Sequence, residues 1–160
     1  MAILAGVGPM GLAAINYVLH REDRKPSLVV VTDIDQSRLD RAAEIYSVEM
    51  AQQNGIQLVY LNTSSLENPV AYMREMTQGH GFDDVFVFAP VASVIEQGDA
   101  LLAFDGCLNF FAGPSDPNLS ARVNFYNVHY AYTHLVGTSG GNTDDMKEAL
   151  RIMSKGLDPA

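Results

Sequence analysis

Gly6-Val7-Gly8-Pro9-Met10-Gly11 lies between an apolar run and an amphipathic one, with the G-x-G-x-x-G spacing that brings backbone N–H groups to a phosphate. In such a loop Gly6 allows a tight turn, Gly8 lets the backbone approach a pyrophosphate, and Gly11 lets the following helix pack closely on its strand. The pyrophosphate then meets the helix N-terminus, where free N–H groups and the positive dipole end favour an anion. The motif alone is weak, but Asp33 stands 22 residues beyond Gly11, at the end of the next apolar run. A carboxylate about 20 residues on accepts hydrogen bonds from an adenosine ribose. The plainer reading is that Asp33 starts a turn or caps the next helix. Arg38 either lies along the adenosine or is solvated.

Other reactive residue types are scattered. Cys107 stands in an apolar run and reads as a buried strand residue; one cysteine permits no intrachain disulfide and no four-cysteine zinc site. His129 and His134 are the nearest candidate metal ligands, but their odd spacing on extended chain points them to opposite faces. Asp83-Asp84 and Asp144-Asp145 open a strand and a helix, where solvation and dipole complementarity explain them. Met73 with Met76, and Met146 with Met153, read as core filler at helical spacing.

The elements that must position these residues alternate strand and helix, which predicts a parallel sheet with right-handed crossovers. Strands are expected at Ala2–Ala5, Leu28–Thr32, Gln57–Leu61, Val85–Phe88, Cys107–Phe111 and His134–Thr138. The first helix starts near Pro9, which suits the first helical position, and ends near the charged run His20–Lys25. Leu39, Ala42, Ala43, Tyr46 and Met50 mark one amphipathic helix, capped by Asp35 or Ser37 and ended by Gly55. Asn68-Pro69 opens the next helix, Ser93–Leu102 a fourth, and Asn142-Thr143-Asp144-Asp145 the last. The expected fold is α/β: a Rossmann fold with a six-stranded doubly wound parallel sheet in the order 3-2-1-4-5-6, one domain over residues 1–160.

A formal charge of −9, with no Lys/Arg cluster, argues against nucleic acid and anionic membranes, since both need basic side chains. No apolar run approaches the roughly 20 residues of a membrane span, and no signal-like basic head precedes the first apolar stretch. The expected partner is small and the expected compartment cytoplasmic. The direct opening into an apolar strand reads as a cut start.

The Gly6–Gly11 loop, the strand ending Thr32-Asp33 and the closing Gly156-Leu157-Asp158-Pro159 resemble the cofactor domain of zinc-type medium-chain alcohol and polyol dehydrogenases over essentially the whole chain. The stretches Val123–Tyr130 and Val136–Gly141 are most similar to sugar-phosphate reductases of the L-sorbose-1-phosphate type. The resemblance implies that Gly6, Gly8, Pro9, Met10 and Gly11 hold the phosphates, Asp33 the ribose, and Arg38 the adenosine edge. It places Ala89 and Pro90 beside the adenine and ribose, with Val91 where the family has glycine. It puts Gly113, Gly137 and Ser139, with the glycines up to Gly140, near the nicotinamide.

Asp33-Ile34-Asp35 puts two carboxylates where a 2′-phosphate would lie and so favours NAD(H); NADP(H) is the alternative, because Arg38 is present and the similar sugar-phosphate reductases use it in some cases, and the resemblance implies a homodimer through the sixth-strand edge. Zinc is expected only in a GroES-like catalytic domain absent from these residues, so the parent is an oxidoreductase and the fragment alone inactive. Two other classes share the pattern: an S-adenosylmethionine-dependent methyltransferase, and a non-enzymatic nucleotide-sensing module.

Overall fold

A computed structural model describes residues 1–156. Six parallel strands are ordered β3-β2-β1-β4-β5-β6: β1 (Ala2–Leu4), β2 (Leu28–Asp33), β3 (Gln57–Asn62), β4 (Phe82–Val87), β5 (Leu102–Phe110) and β6 (His134–Gly137). The helices are α1 (Pro9–His20), α2 (Gln36–Ile45), α3 (Val48–Gln53), α4 (Pro69–Met76), α5 (Ala92–Leu101), α6 (Phe125–Tyr130) and α7 (Thr143–Ser154). This is the expected Rossmann architecture. The closing Leu157-Asp158-Pro159 lies outside the described residues.

Strand alternation sends successive side chains into two cores. Ile3, Val29 and Val31 pack with Leu12, Ile15, Leu19 and Leu39 on one face; Ala2, Leu4, Val30, Val85 and Val87 pack with Met73 and Leu101 on the other. Both faces of the central strands are therefore buried, which explains their nearly unbroken apolar sequences.

Five expectations need correction. The single helix expected through Met50 is two, broken at Tyr46-Ser47. The Tyr60 hydroxyl donates to the Tyr46 carbonyl at 2.8 Å, and the Ser47 hydroxyl accepts the Met50 N–H at 3.1 Å, so side chains outcompete the helical bonds. β5 begins five residues early and carries an irregular insertion: Phe82 pairs with Leu102 but Asp84 with Cys107, with Asp105 at φ 59°. Residues 125–130 form a helix, so His129 does not share an extended chain with His134 of β6. Met146 and Met153 are 66% and 54% exposed rather than core, because α7 rides outside α1, leaving a cavity of about 320 Å³ lined by Ala13, Tyr17, Ala149 and Ile152. Met73 is buried as expected, whereas Cys107, expected to be buried, is half-buried on β5, its thiol pushed up by desolvation and by Asp84. Among the described residues no helix is long and apolar enough to cross a membrane.

Candidate functional site

The Gly6–Gly11 loop joins β1 to α1. Its left-handed residue is Ala5, at φ 50°, so the tight turn expected of Gly6 falls one residue earlier. Gly6 is required for space instead: a Cβ there would sit 2.2 Å from Ile3 Cγ2 and 3.1 Å from the Ile3 carbonyl oxygen. A Cβ on Gly11 would sit 1.8 Å from the Gly6 carbonyl oxygen, so the helix touches the turn backbone to backbone, as the motif predicts. A Cβ on Gly8 would meet nothing within 4 Å. The space over Gly8 is open, and a side chain there would intrude on whatever approaches the loop.

Helix caps sharpen the picture. Asp35, Ser47, Asn68, Asn124 and Asn142 each accept first-turn N–H groups of α2, α3, α4, α6 and α7. Among the described helices, α1, after Gly8, and α5, after Val91, are the two without a side-chain cap. These two helices follow β1 and β4, the neighbouring strands where the order reverses. In doubly wound sheets ligands bind outside the carboxyl ends of the strands at such a switch point. Uncapped N–H groups there suit an anion. Met10, in the first turn of α1, is 53% exposed.

Asp33 ends β2 beside this loop, because Thr32 ties the two together: its carbonyl accepts the Gly6 N–H at 3.0 Å. Asp33 is 6% exposed, and its Oδ1 accepts the N–H groups of Ile34 (2.9 Å) and Asp35 (3.1 Å). It does start a turn, and that turn uses one oxygen. Asp35 is the cap of α2, with Oδ1 accepting from Ser37 N at 2.9 Å and from the Ser37 hydroxyl at 2.6 Å. The Ser37 hydroxyl chiefly, with backbone N–H groups and Arg38, holds the Asp35 carboxyl below its ordinary value. Arg38 is largely exposed and lies 3.7 Å from Asp35 Oδ2, a surface pair of little energetic weight.

Ala89 and Pro90 follow β4 in a tight turn in which Val91 N donates to the Ala89 carbonyl at 2.9 Å. Ala89 is half-buried and Pro90 exposed. Gly113, Gly137 and Ser139 converge on one cavity of about 540 Å³ at the carboxyl ends of β5 and β6, with Phe110, Phe111 and Pro114. Phe111, edge-on to Phe88 at 5.8 Å, was legible only as a strand residue; its place two residues before the Gly113-Pro114 loop was the available signal. A larger cavity, about 760 Å³, is lined by Met1, Lys25, Gln57, Phe82 and Asp83 at the amino ends of the strands. It lies at the wrong edge of a doubly wound sheet for a dinucleotide.

Among the described residues no three His, Cys, Asp or Glu side chains gather into a metal-binding group. His134 Nε2 lies 3.0 Å from Asp105 Oδ1, and the His129 ring stands edge-on to Tyr130. Asp83 and Asp84 are exposed on β4, and Asp145 completes the α7 capping box with Asn142.

Residues 9–155 match the model of the family described as zinc-binding dehydrogenase. The chain is 52% identical over 156 residues to mannitol-1-phosphate 5-dehydrogenase of Aliivibrio fischeri, covering 98% of this chain and 37% of that protein. It is 51% identical over 151 residues to L-sorbose 1-phosphate reductase of Klebsiella pneumoniae, covering 94% and 35% respectively. The chain thus spans little more than a third of the length of these curated relatives. Among solved structures, 2R,3R-butanediol dehydrogenase from Bacillus subtilis superposes with TM-score 0.76 at 19% identity, over 97% of this chain and 39% of that one. D-arabinose dehydrogenase from Sulfolobus solfataricus gives 0.72 at 14% identity, over 98% and 43%; both likenesses concern the fold. The sheet order, the glycine loop and the match over residues 9–155 converge, and the chain belongs to the zinc-binding dehydrogenase family.

Proposed function

We propose that residues 1–160 are the NAD(P)-binding Rossmann domain of an oxidoreductase that transfers hydride to or from a sugar, polyol or sugar phosphate. The observation that carries this reading is the phosphate loop: open space over Gly8 against the uncapped start of α1, with Asp33 one strand away. These residues fit a dinucleotide. Gly6, Gly8, Pro9, Met10 and Gly11 would hold the pyrophosphate, and the Asp33 oxygen not used by its turn would accept from a ribose hydroxyl. Arg38, Ala89 and Pro90 would border the adenosine; Gly113, Gly137 and Ser139 would border the nicotinamide. When bound, the dinucleotide supplies the hydride; the chain's own task is to orient it.

The printed names of the relatives favour a phosphorylated sugar or polyol as substrate class. Catalytic zinc, with its ligands, belongs on this reading to a GroES-like domain outside these residues, and the parent works as a cytoplasmic homodimer. NAD(H) is preferred to NADP(H), because Asp33 and Asp35 would repel a 2′-phosphate. Calorimetric titration with NADH, NADPH and S-adenosylmethionine is the test. Saturable NADH binding is expected. Binding of S-adenosylmethionine in its place would turn the reading toward a methyltransferase, and an intact parent without steady turnover would turn it toward a nucleotide sensor.

A further inference from the structure

Asp99, in the last turns of α5, is 6% exposed, and none of the phosphate-loop or cavity contacts uses it. Its Oδ2 accepts the Asn124 N–H at 2.9 Å, while its buried Oδ1 has no hydrogen-bond partner among the described residues. Burying a carboxylate with so few partners is costly, and a site of no consequence would hold an apolar residue more cheaply. One helical turn earlier, Glu96 Oε1 accepts the Arg122 N–H at 3.1 Å and pairs with its guanidinium at 3.8 Å. Two carboxylates on one face of α5 thus grip alternate N–H groups of one extended segment.

That segment is the link from β5 to α6. Its start is pinned where Phe111 N and Ala112 N donate to the Val87 carbonyl at 3.1 and 3.2 Å. Its end is pinned by Glu96 and Asp99. Between the two anchors, Gly113 and Pro114 line the 540 Å³ cavity. Pro114, Pro117, Leu119 and Val123 line an adjoining cavity of about 450 Å³ that shares Phe110 and Gly137 with it. Gly113 and Pro114 thus open a segment whose far end is tied to α5 by the Glu96 and Asp99 side chains.

We propose that Asp99 is a positioning residue for the nicotinamide ring: by holding the Asn124 N–H, with Glu96 as its partner, it fixes the far end of the 113–123 segment, whose first residues Gly113 and Pro114 line the cavity between β5 and β6. This rests on the dinucleotide reading above. Asp99 touches no reacting atom; it acts through the segment.

The test compares NADH with ADP-ribose, which keeps the adenosine and pyrophosphate but lacks the ring, by calorimetric titration of the 160-residue chain. Asp99→Ala is expected to weaken NADH about tenfold, the scale of one lost hydrogen bond to a charged group, with ADP-ribose changed less than about twofold. Asp99→Asn, whose amide oxygen can still accept the Asn124 N–H, is expected to restore NADH binding to within about twofold of the parent. Equal losses for both ligands in Asp99→Ala, no loss for either, or an Asp99→Asn variant as impaired as Asp99→Ala would each overturn the proposal. If Asp99→Ala fails to fold, Glu96→Ala at the more exposed grip should show the same ring-selective loss at smaller size, and its absence overturns the proposal. A parent chain that binds neither ligand refutes the dinucleotide reading itself, and this inference with it.

Discussion

Two glycines in one loop should fail in opposite ways when each receives a methyl group. At Gly11 the new Cβ would lie 1.8, 2.4 and 2.8 Å from the carbonyl oxygen, carbonyl carbon and Cα of Gly6. All three are backbone atoms, so no rotamer can relieve them; either the β1–α1 turn opens or α1 lifts from the sheet. Overpacking typically costs about 1–3 kcal/mol, and a rigid backbone neighbour places Gly11→Ala at about 3 kcal/mol or above. For a domain of this size that lowers the melting temperature by roughly 6–12 °C. At Gly8 nothing lies within 4 Å of the new Cβ, and φ −77°, ψ 177° suits alanine. Gly8→Ala should therefore leave stability unchanged or raise it by about 0.4–1 kcal/mol, because the unfolded chain loses freedom. It should nevertheless weaken NADH at least about tenfold, because the methyl occupies the approach of the pyrophosphate. Thermal melting by circular dichroism and NADH titration by calorimetry read both effects. A Gly8→Ala variant that melts as low as Gly11→Ala, or that binds NADH like the parent, would refute the division of roles.

Three further outcomes are expected. Asp33→Ser should narrow or invert a preference for NADH over NADPH, and Asp33→Asn, which keeps an oxygen for the Ile34 and Asp35 N–H groups, separates loss of charge from loss of the turn; equal or stronger NADPH binding by the parent chain would sink the NAD assignment. β6 is an edge strand with Leu135 and Val136 exposed and no Lys or Pro to protect it, so sedimentation should detect self-association; only monomer at high concentration would count against it. The 160-residue chain should bind dinucleotide yet catalyse no measurable alcohol oxidation or ketone reduction, and zinc-stimulated turnover would force a search for ligands among its histidines.

The strand–helix alternation and the glycine loop were legible in the sequence because each is a local pattern, and the sheet order followed from the fold class that they imply. Apolar runs of strand length, helical spacing in Leu39 and Ala42, and proline or asparagine at helix starts need no knowledge of distant neighbours. The place of Asp33 at the end of β2 was legible for the same reason: its distance from Gly11 is counted along the chain. What tertiary structure decided rests on contacts between residues far apart in sequence. Tyr60 reaches back 14 residues to end α2 at Tyr46, overriding a periodicity that continues to Met50. α6 is too short to show a period and depends on Asn124, whose N–H Asp99 holds across 25 residues. The left-handed residue of the turn is Ala5 rather than Gly6, and Gly6 is needed for the room it leaves Ile3, a contact that only the folded chain shows. Gly113, Gly137 and Ser139 share a cavity only because β5 and β6 pair in register, Phe110 beside Gly137, and no local pattern encodes which rows of a sheet will align.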